Sequence, residues 1–331
     1  MGETLIIAEA GVNHNGSFEM AKQLVDRAKE AGADFVKFQT AKLESLVSKH
    51  AEMAEYQKKN TGQKTSQKDM LRKLLLSYED FIKLSEYCKL SEIGFLSTPF
   101  DIESIYFLKD LVPFWKVPSG EITNYPYLVE IAKTSMPVVL STGMCEISEI
   151  DDAVALLKEN GTTELTLLHC NTQYPTPYED VNLHAMETLK NRYGLKVGYS
   201  DHTQGIEVPI AAVALGATII EKHFTLDHTL PGPDHKASLE PQELKEMVRS
   251  IRNIESALGS SEKKVSPSER NNIAVARKSI VASRRILRGE ILNSDNLTTK
   301  RPGTGISPMQ WNQIVGTRAV RNFEEDELIE I

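Results

Sequence analysis

An eight-stranded parallel β/α barrel followed by a small β-rich module is the fold class this sequence predicts. Three observations carry the prediction. Short apolar or β-branched runs alternate with longer segments of helical spacing eight times over. The alternation is complete within about 250 residues, the usual size of a closed barrel. A stretch of small, charged and Pro residues then separates it from a β-like tail. An open doubly wound sheet also accepts such alternation, but eight units in that length favour closure. At 331 residues the chain has room for one barrel and one smaller domain.

The strands are read at Leu5–Glu9, Phe35–Gln39, Gly94–Thr98, Phe114–Pro118, Val138–Ser141, Leu165–His169, Val197–Ser200 and Thr218–His223. Between them the helical segments are Phe18–Ala31, Tyr78–Leu90, Ile102–Leu111, Tyr127–Thr134, Ile147–Asn160, Leu183–Tyr193 and Val208–Gly216, with Pro241–Leu258 completing the ring. The barrel is thus placed at 1–258. The run GSSEKKVSPS, Gly259–Ser268, has linker composition, and Glu269–Arg277 after it is open to a helical reading, so 259–277 is taken as the connection. The module, 278–331, contains β-like runs at Ser279–Ala282, Thr298–Lys300, Thr317–Val320 and Glu327–Ile331. One connection is unusually long: Ala41–Ser77 is polar, and loops of that length in compact domains tend to be lids or binding loops.

Hydrophobic residues make up 40% and charged residues 25%, ordinary globular usage that permits a sizeable core. A net charge of -8 argues against a nucleic-acid or membrane-surface binder, which needs a basic field, so an anionic substrate would require locally placed cations. Cys88, Cys145 and Cys170 have neither metal spacing nor an even count for a disulfide framework. No signal-peptide pattern and no run of about 18 apolar residues is present, so a cytoplasmic protein is expected.

Barrels of this kind carry their active sites at the C-terminal strand ends. Here those ends deliver Glu9, Lys37, Gln39, Ser97 and Thr98, then Lys116 with Ser119, Gly120 and Glu121. Ser141, Thr142 and Gly143 follow, then His169, Cys170 and Tyr174, then Ser200, Asp201 and His202, and finally Glu221, Lys222 and His223. Each alone has a structural explanation. Together they are too polar for a barrel interior, normally filled by branched apolar side chains, and a shared polar site is the better account. Lys37 and Lys116 with the hydroxyls of Thr98, Ser119 and Ser141 suit a phosphate or carboxylate, and Gly120 and Gly143 let backbone amides approach. His202 and His223 end consecutive strands and form a possible pair of ligands for a divalent metal, with no third protein ligand evident. Asp234 and His235 follow in the turn Pro231-Gly232-Pro233 over the same rim.

The runs IIAEAGVNHNGS, ADFVKFQT, FLSTPFD, WKVPSGEITNYPYL, LSTGM, LLHCNTQYPTPYEDVNL, VGYSDHTQG, IEKHFTLDHTLPGPDHKASLEP and TTKRPGTGIS together resemble the bacterial sialic acid synthase family, in order over nearly the whole chain. FVKFQ, SGEITN and PGPDHKASL are more like the N,N'-diacetyllegionaminic acid synthase branch than the N-acetylneuraminate synthases. The resemblance implies a metal-dependent condensation of phosphoenolpyruvate with an N-acetylated mannose-type sugar, giving a nine-carbon α-keto acid and phosphate. It also implies a C-terminal antifreeze-like (SAF) domain that reaches across a domain-swapped homodimer.

Carried onto this sequence, Lys37, Thr98, Lys116, Ser119 and Ser141 match the phosphoenolpyruvate site, and His202 and His223 match ligands of manganese, with magnesium or cobalt as alternatives. Glu9 and Asp234 match residues that hold sugar hydroxyls, and Gln39, Phe100, Tyr174 and Ser200 match others lining the pocket. Arg301 in KRPGTG matches an arginine given to the partner subunit's sugar site. Glu121, beside Ser119, is the candidate for handling the proton of an attacking water. Two departures bear on the sugar: Asn60 does not align cleanly with a ligand-touching asparagine of N-acetylneuraminate synthases, and HCNTQYP differs from HCTNIYP-like versions. A non-catalytic sugar-binding protein and a metal-dependent aldolase or isomerase are the readings from other classes.

Overall fold

The structure, a computed structural model, describes residues 2–46 and 67–331. Residues 47–66 of the long loop after strand two, Asn60 among them, lie outside the described residues. The chain divides into two compact units, Met1–Gly259 and Ser260–Ile331.

In the first unit eight parallel strands run in the order β3-β2-β1-β8-β7-β6-β5-β4: β1 Leu5–Gly11, β2 Phe35–Thr40, β3 Gly94–Pro99, β4 Trp115–Val117, β5 Val138–Ser141, β6 Leu165–Cys170, β7 Lys196–Asp201 and β8 Ile219–His223. Each step from β3 round to β4 is a parallel ladder. Among the described residues β3 and β4 lie side by side without one, so the barrel is nearly closed. β4 is shorter than the expected Phe114–Pro118, and Pro118, having no N–H, cannot extend it.

The helices follow from local chemistry. Phe18–Ala31 starts at Ser17, whose hydroxyl accepts from the Met20 amide, and stops at Gly32, left-handed at φ 86°. It buries Ala21, Leu24, Val25, Ala28 and Ala31, a single stripe against the sheet. Tyr78–Leu90 begins in a reciprocal Ser77/Asp80 capping box. The fourth connection's helix starts at Tyr125, two residues earlier than expected, because the Asn124 side chain accepts from the Tyr127 amide and Pro126 fits the first turn. The helix Ile102–Leu108 ends before the expected Leu111. Pro241–Leu258 packs against Phe18–Ala31 and Glu207–Ala214 and completes the outer ring. No helix of the described residues is long and apolar enough to cross a membrane.

The second unit has a short helix Arg270–Ala276 and one antiparallel pair, β9 Ser279–Ala282 with β10 Leu297–Lys300. The other two expected runs contribute single bridges, Ile291 to Arg318 and Val281 to Leu328, rather than ladders. Its core is separate and centred on Ile280, Leu292, Leu297, Ile314 and Phe323.

Candidate active site

Because strand side chains alternate, every second residue at a strand end points into the barrel. Glu9 of β1, Lys37 and Gln39 of β2, Thr98 of β3, Lys116 of β4, Ser141 of β5, Ser200 of β7 and Glu221 and His223 of β8 all line one cavity of about 410 Å³. The loops beyond add Phe100, Ser119, Gly120, Tyr174, His202 and Asp234. In β8 the intervening Lys222 belongs to the opposite face, fully buried and paired with Asp201 and the Thr203 carbonyl.

The floor is a charged network. Lys37 Nζ lies 2.6 Å from Glu9 and 3.5 Å from Glu221, and it donates to Thr98 Oγ1 at 3.2 Å. Lys116 Nζ lies 3.2 Å from the other oxygen of Glu221, which also accepts from Ser200 at 2.8 Å. Gln39 donates to Glu9 at 3.2 Å. Glu221 therefore sits between two lysines that are only 4–5% exposed. Burial pushes Glu9 up to about 7, against the pull of Lys37 and with the help of the Glu221 charge. Burial would raise Glu221 too, but Lys116 and Lys37 together outweigh it and hold the carboxyl low. Burial also opposes the charge of Lys37, yet Glu221 and Glu9 raise it overall.

Over this floor Ser119 approaches Gly143 closely: a Cβ at Gly143 would meet Cys170 Sγ at 2.9 Å and Ser119 Oγ at 3.1 Å. Glycine at 143 thus lets the loop after β5 pack closely against the end of β6 and against Ser119. Burial pushes Asp234 up to about 6.

The histidines meet at the rim, with the His202 and His223 ring centroids 5.5 Å apart and Tyr174 4.1 Å from His202. His202 Nδ1 pairs with the Asn171 carbonyl, which leaves Nε2 as the acceptor, and burial lowers this imidazole to about 4. His223 is driven well below its ordinary value by burial and by its neighbour His202, and its buried Nδ1 has no partner. Two neutral imidazoles, one with an orphaned nitrogen, fit a divalent metal that keeps other positions open. No cluster of three or more His, Cys, Asp or Glu able to hold a metal occurs among the described residues.

One expected site residue, Glu121, is not brought to the cavity. Glu121 closes a short turn after β4, and its carboxylate accepts from Asn124 at 2.6 Å outside the lining. Arg301 belongs to the second unit, where its exposed side chain donates to the Ala276 carbonyl at 3.1 Å. One central residue, Glu221, is named among the strand ends from sequence but given no role there. Its signal was available: alternation places it on the His223 face, opposite Lys222. Leu71, Leu74 and Leu75, from the described end of the long loop expected to be a lid or binding loop, also line the cavity, though the sequence singles out none of them individually.

Comparison with known proteins follows the same outline. The chain is 52% identical to an N,N'-diacetyllegionaminic acid synthase of Campylobacter jejuni, covering 99% of both chains. It is 51% identical to one of Legionella pneumophila, covering 96% of this chain and 91% of that one. Its structure is similar to that of an N-acetylneuraminic acid synthetase from Leptospira borgpetersenii, with a TM-score of 0.72 and 36% identity over 82% of this chain and 90% of that one. A SAF domain is matched at residues 277–330. With its barrel matched over residues 24–263, the chain belongs to the NeuB family.

Proposed function

We propose that this chain condenses phosphoenolpyruvate with 2,4-diacetamido-2,4,6-trideoxymannose and water to give N,N'-diacetyllegionaminic acid and phosphate. The observation that carries the reading is the buried pair Lys37 and Lys116 bracketing Glu221, with the Thr98 hydroxyl on Lys37. Two desolvated cations at the strand ends are poised for a small, highly charged anion. The names of the 51–52% identical relatives favour this sugar over N-acetylmannosamine.

In the proposed reaction Lys37 and Lys116 hold the phosphate and carboxylate of phosphoenolpyruvate, with Ser119 and Ser141 completing the anion shell. Gln39, Phe100, Tyr174, Ser200 and Asp234 orient the open-chain sugar so that its aldehyde carbon faces C3 of phosphoenolpyruvate. The C3–C1 bond forms, the aldehyde oxygen takes a proton, and C2 becomes cationic. Water adds to C2 and loses a proton; the C2–O bond to phosphate then breaks, and the remaining hydroxyl proton passes to the departing phosphate, leaving the keto group. Glu9, held near neutrality, is suited to give the first proton to the sugar oxygen and recover the second from the water. This replaces Glu121, whose carboxylate is engaged with Asn124. His202 and His223 would hold a divalent metal, for which we propose manganese. Such an ion supplies Lewis acidity beside the sugar carbonyl.

The working unit we propose is a cytoplasmic, domain-swapped homodimer: a barrel at 1–258, a connection at 259–277 and an SAF domain at 278–331 that brings Arg301 to its partner's sugar. Phosphate release from phosphoenolpyruvate tests the reading. Release with manganese and the diacetamido sugar supports it; release only with N-acetylmannosamine makes the chain an N-acetylneuraminate synthase; binding of either sugar without release makes it a binding protein.

A further inference from the structure

The cavity has two chemically different sides. Its floor, formed by side chains within the strands, is charged; part of its mouth is apolar. There Val12, from the loop after β1, lines the cavity together with Leu71, Leu74 and Leu75 at the end of the helix Gln67–Leu74. Val12, Leu71 and Leu74 form a small cluster of their own, apart from the barrel core. Val12 and Leu74 are 4% and 7% exposed and anchor the cluster, while Leu71 and Leu75 are only half-buried and face the cavity. The segment is pinned by shape as well. Gly16 is left-handed at φ 74°, and a Cβ there would run into the Lys73 carbonyl oxygen, so the β1 loop and the end of this helix touch backbone to backbone. The half-buried leucines are therefore held in place over the site with apolar surface unspent, a cost of about 25 cal/mol per Å² that an apolar ligand group relieves.

The reaction sets the direction in which the sugar lies. Phosphoenolpyruvate must sit on the lysine floor and the sugar's C1 must meet its C3, so the far end of the sugar, C4 to C6, runs out toward the mouth. Resting on the proposed reaction, we infer that Leu71 and Leu75 are specificity determinants that read the far end of the sugar, receiving a C6 methyl and disfavouring a C6 hydroxymethyl. The substrate class is then 6-deoxy acetamido sugars. A hydroxyl placed against the leucines would lose its water partners without gaining a donor or acceptor. An apolar pocket of this kind discriminates by roughly one to two orders of magnitude, since a hydrocarbon surface rejects an added hydroxyl only moderately.

The test compares kcat/KM for 2,4-diacetamido-2,4,6-trideoxymannose and its 6-hydroxy counterpart, 2,4-diacetamido-2,4-dideoxymannose, at saturating phosphoenolpyruvate. Wild type is expected to prefer the 6-deoxy sugar by about 10- to 100-fold. Leu71→Asn and Leu75→Asn should cut that preference about tenfold and leave the KM for phosphoenolpyruvate unchanged, while Leu75→Met should retain it. The inference is overturned if wild type shows no preference, a measurement that needs no variant to fold. It is equally overturned if the Asn variants lose rate on both sugars in proportion, which is what a purely structural role predicts. A wild type that turns over neither sugar fails at the proposed reaction itself, a result distinguishable from both.

Discussion

Replacing Glu221 by Gln removes the one charge shared by both lysines of the floor while keeping nearly the same shape. Lys116 then loses its carboxylate at 3.2 Å, and Lys37 keeps only Glu9, whose carboxyl is already raised by burial. Stripping one partner from a buried ion pair costs about 3–5 kcal/mol, because the remaining charge stays desolvated. For a unit spanning Met1–Gly259, an unfolding entropy of about 2.1 cal/mol/K per residue converts this to a fall in Tm of about 6 to 9 °C. An anion on the lysines should offset the loss. Differential scanning fluorimetry with and without inorganic phosphate, at one fixed concentration, is therefore the assay. Glu221→Gln should melt lower than wild type without phosphate and gain more from it. Equal melting temperatures without phosphate, or an equal or smaller phosphate shift in the variant, would refute the charge accounting.

Three further outcomes are expected. His14 is buried and held to about 4 against an ordinary 6.5, so between those values the unfolded chain takes up a proton that the folded one refuses. Urea titrations should show wild type losing up to about 3 kcal/mol relative to His14→Gln as pH falls from 6.5 to 4, with no further divergence below; parallel curves would count against it. Gly16→Ala, forced against the Lys73 carbonyl, should raise the sugar's KM while sparing that of phosphoenolpyruvate; equal effects on both would place the disturbance in the floor. Phe323→Ala, at a fully buried position, should cost the second unit about 3–5 kcal/mol and expose it to limited proteolysis, and an unchanged cleavage pattern would contradict its place in that core.

The barrel was legible because its signal is local: eight apolar runs and the helical stripes between them are set by residues a few positions apart. The lysines and histidines were legible too, since ionisable groups at strand ends are costly anywhere but a site. The place of Glu221 at a strand end was legible but its role was not, because that role lies in Lys37 and Lys116, which only the parallel ladders around the barrel bring to it. The start of the helix at Tyr125 turned on a side-chain cap from Asn124, and the failure of Glu121 to reach the cavity turned on its bond to Asn124, both matters of loop geometry. The leucines at 71 and 75 fall within the long connection whose length suggests a lid or binding loop, and their part is set by the backbone meeting of Gly16 and Lys73, which holds them over the cavity.

The net negative charge of the chain also governs how fast an anion arrives. The two lysines of the floor lie deep in the barrel against Glu9 and Glu221, and the chain as a whole carries a net charge of -8, so the outer field works against an approaching anion. An anionic substrate is therefore expected to arrive more slowly than a neutral one of the same size, and its rate of arrival to rise as salt screens the protein's charge. Electrostatic attraction takes over only inside the barrel, beside Lys37 and Lys116, which are 4–5% exposed.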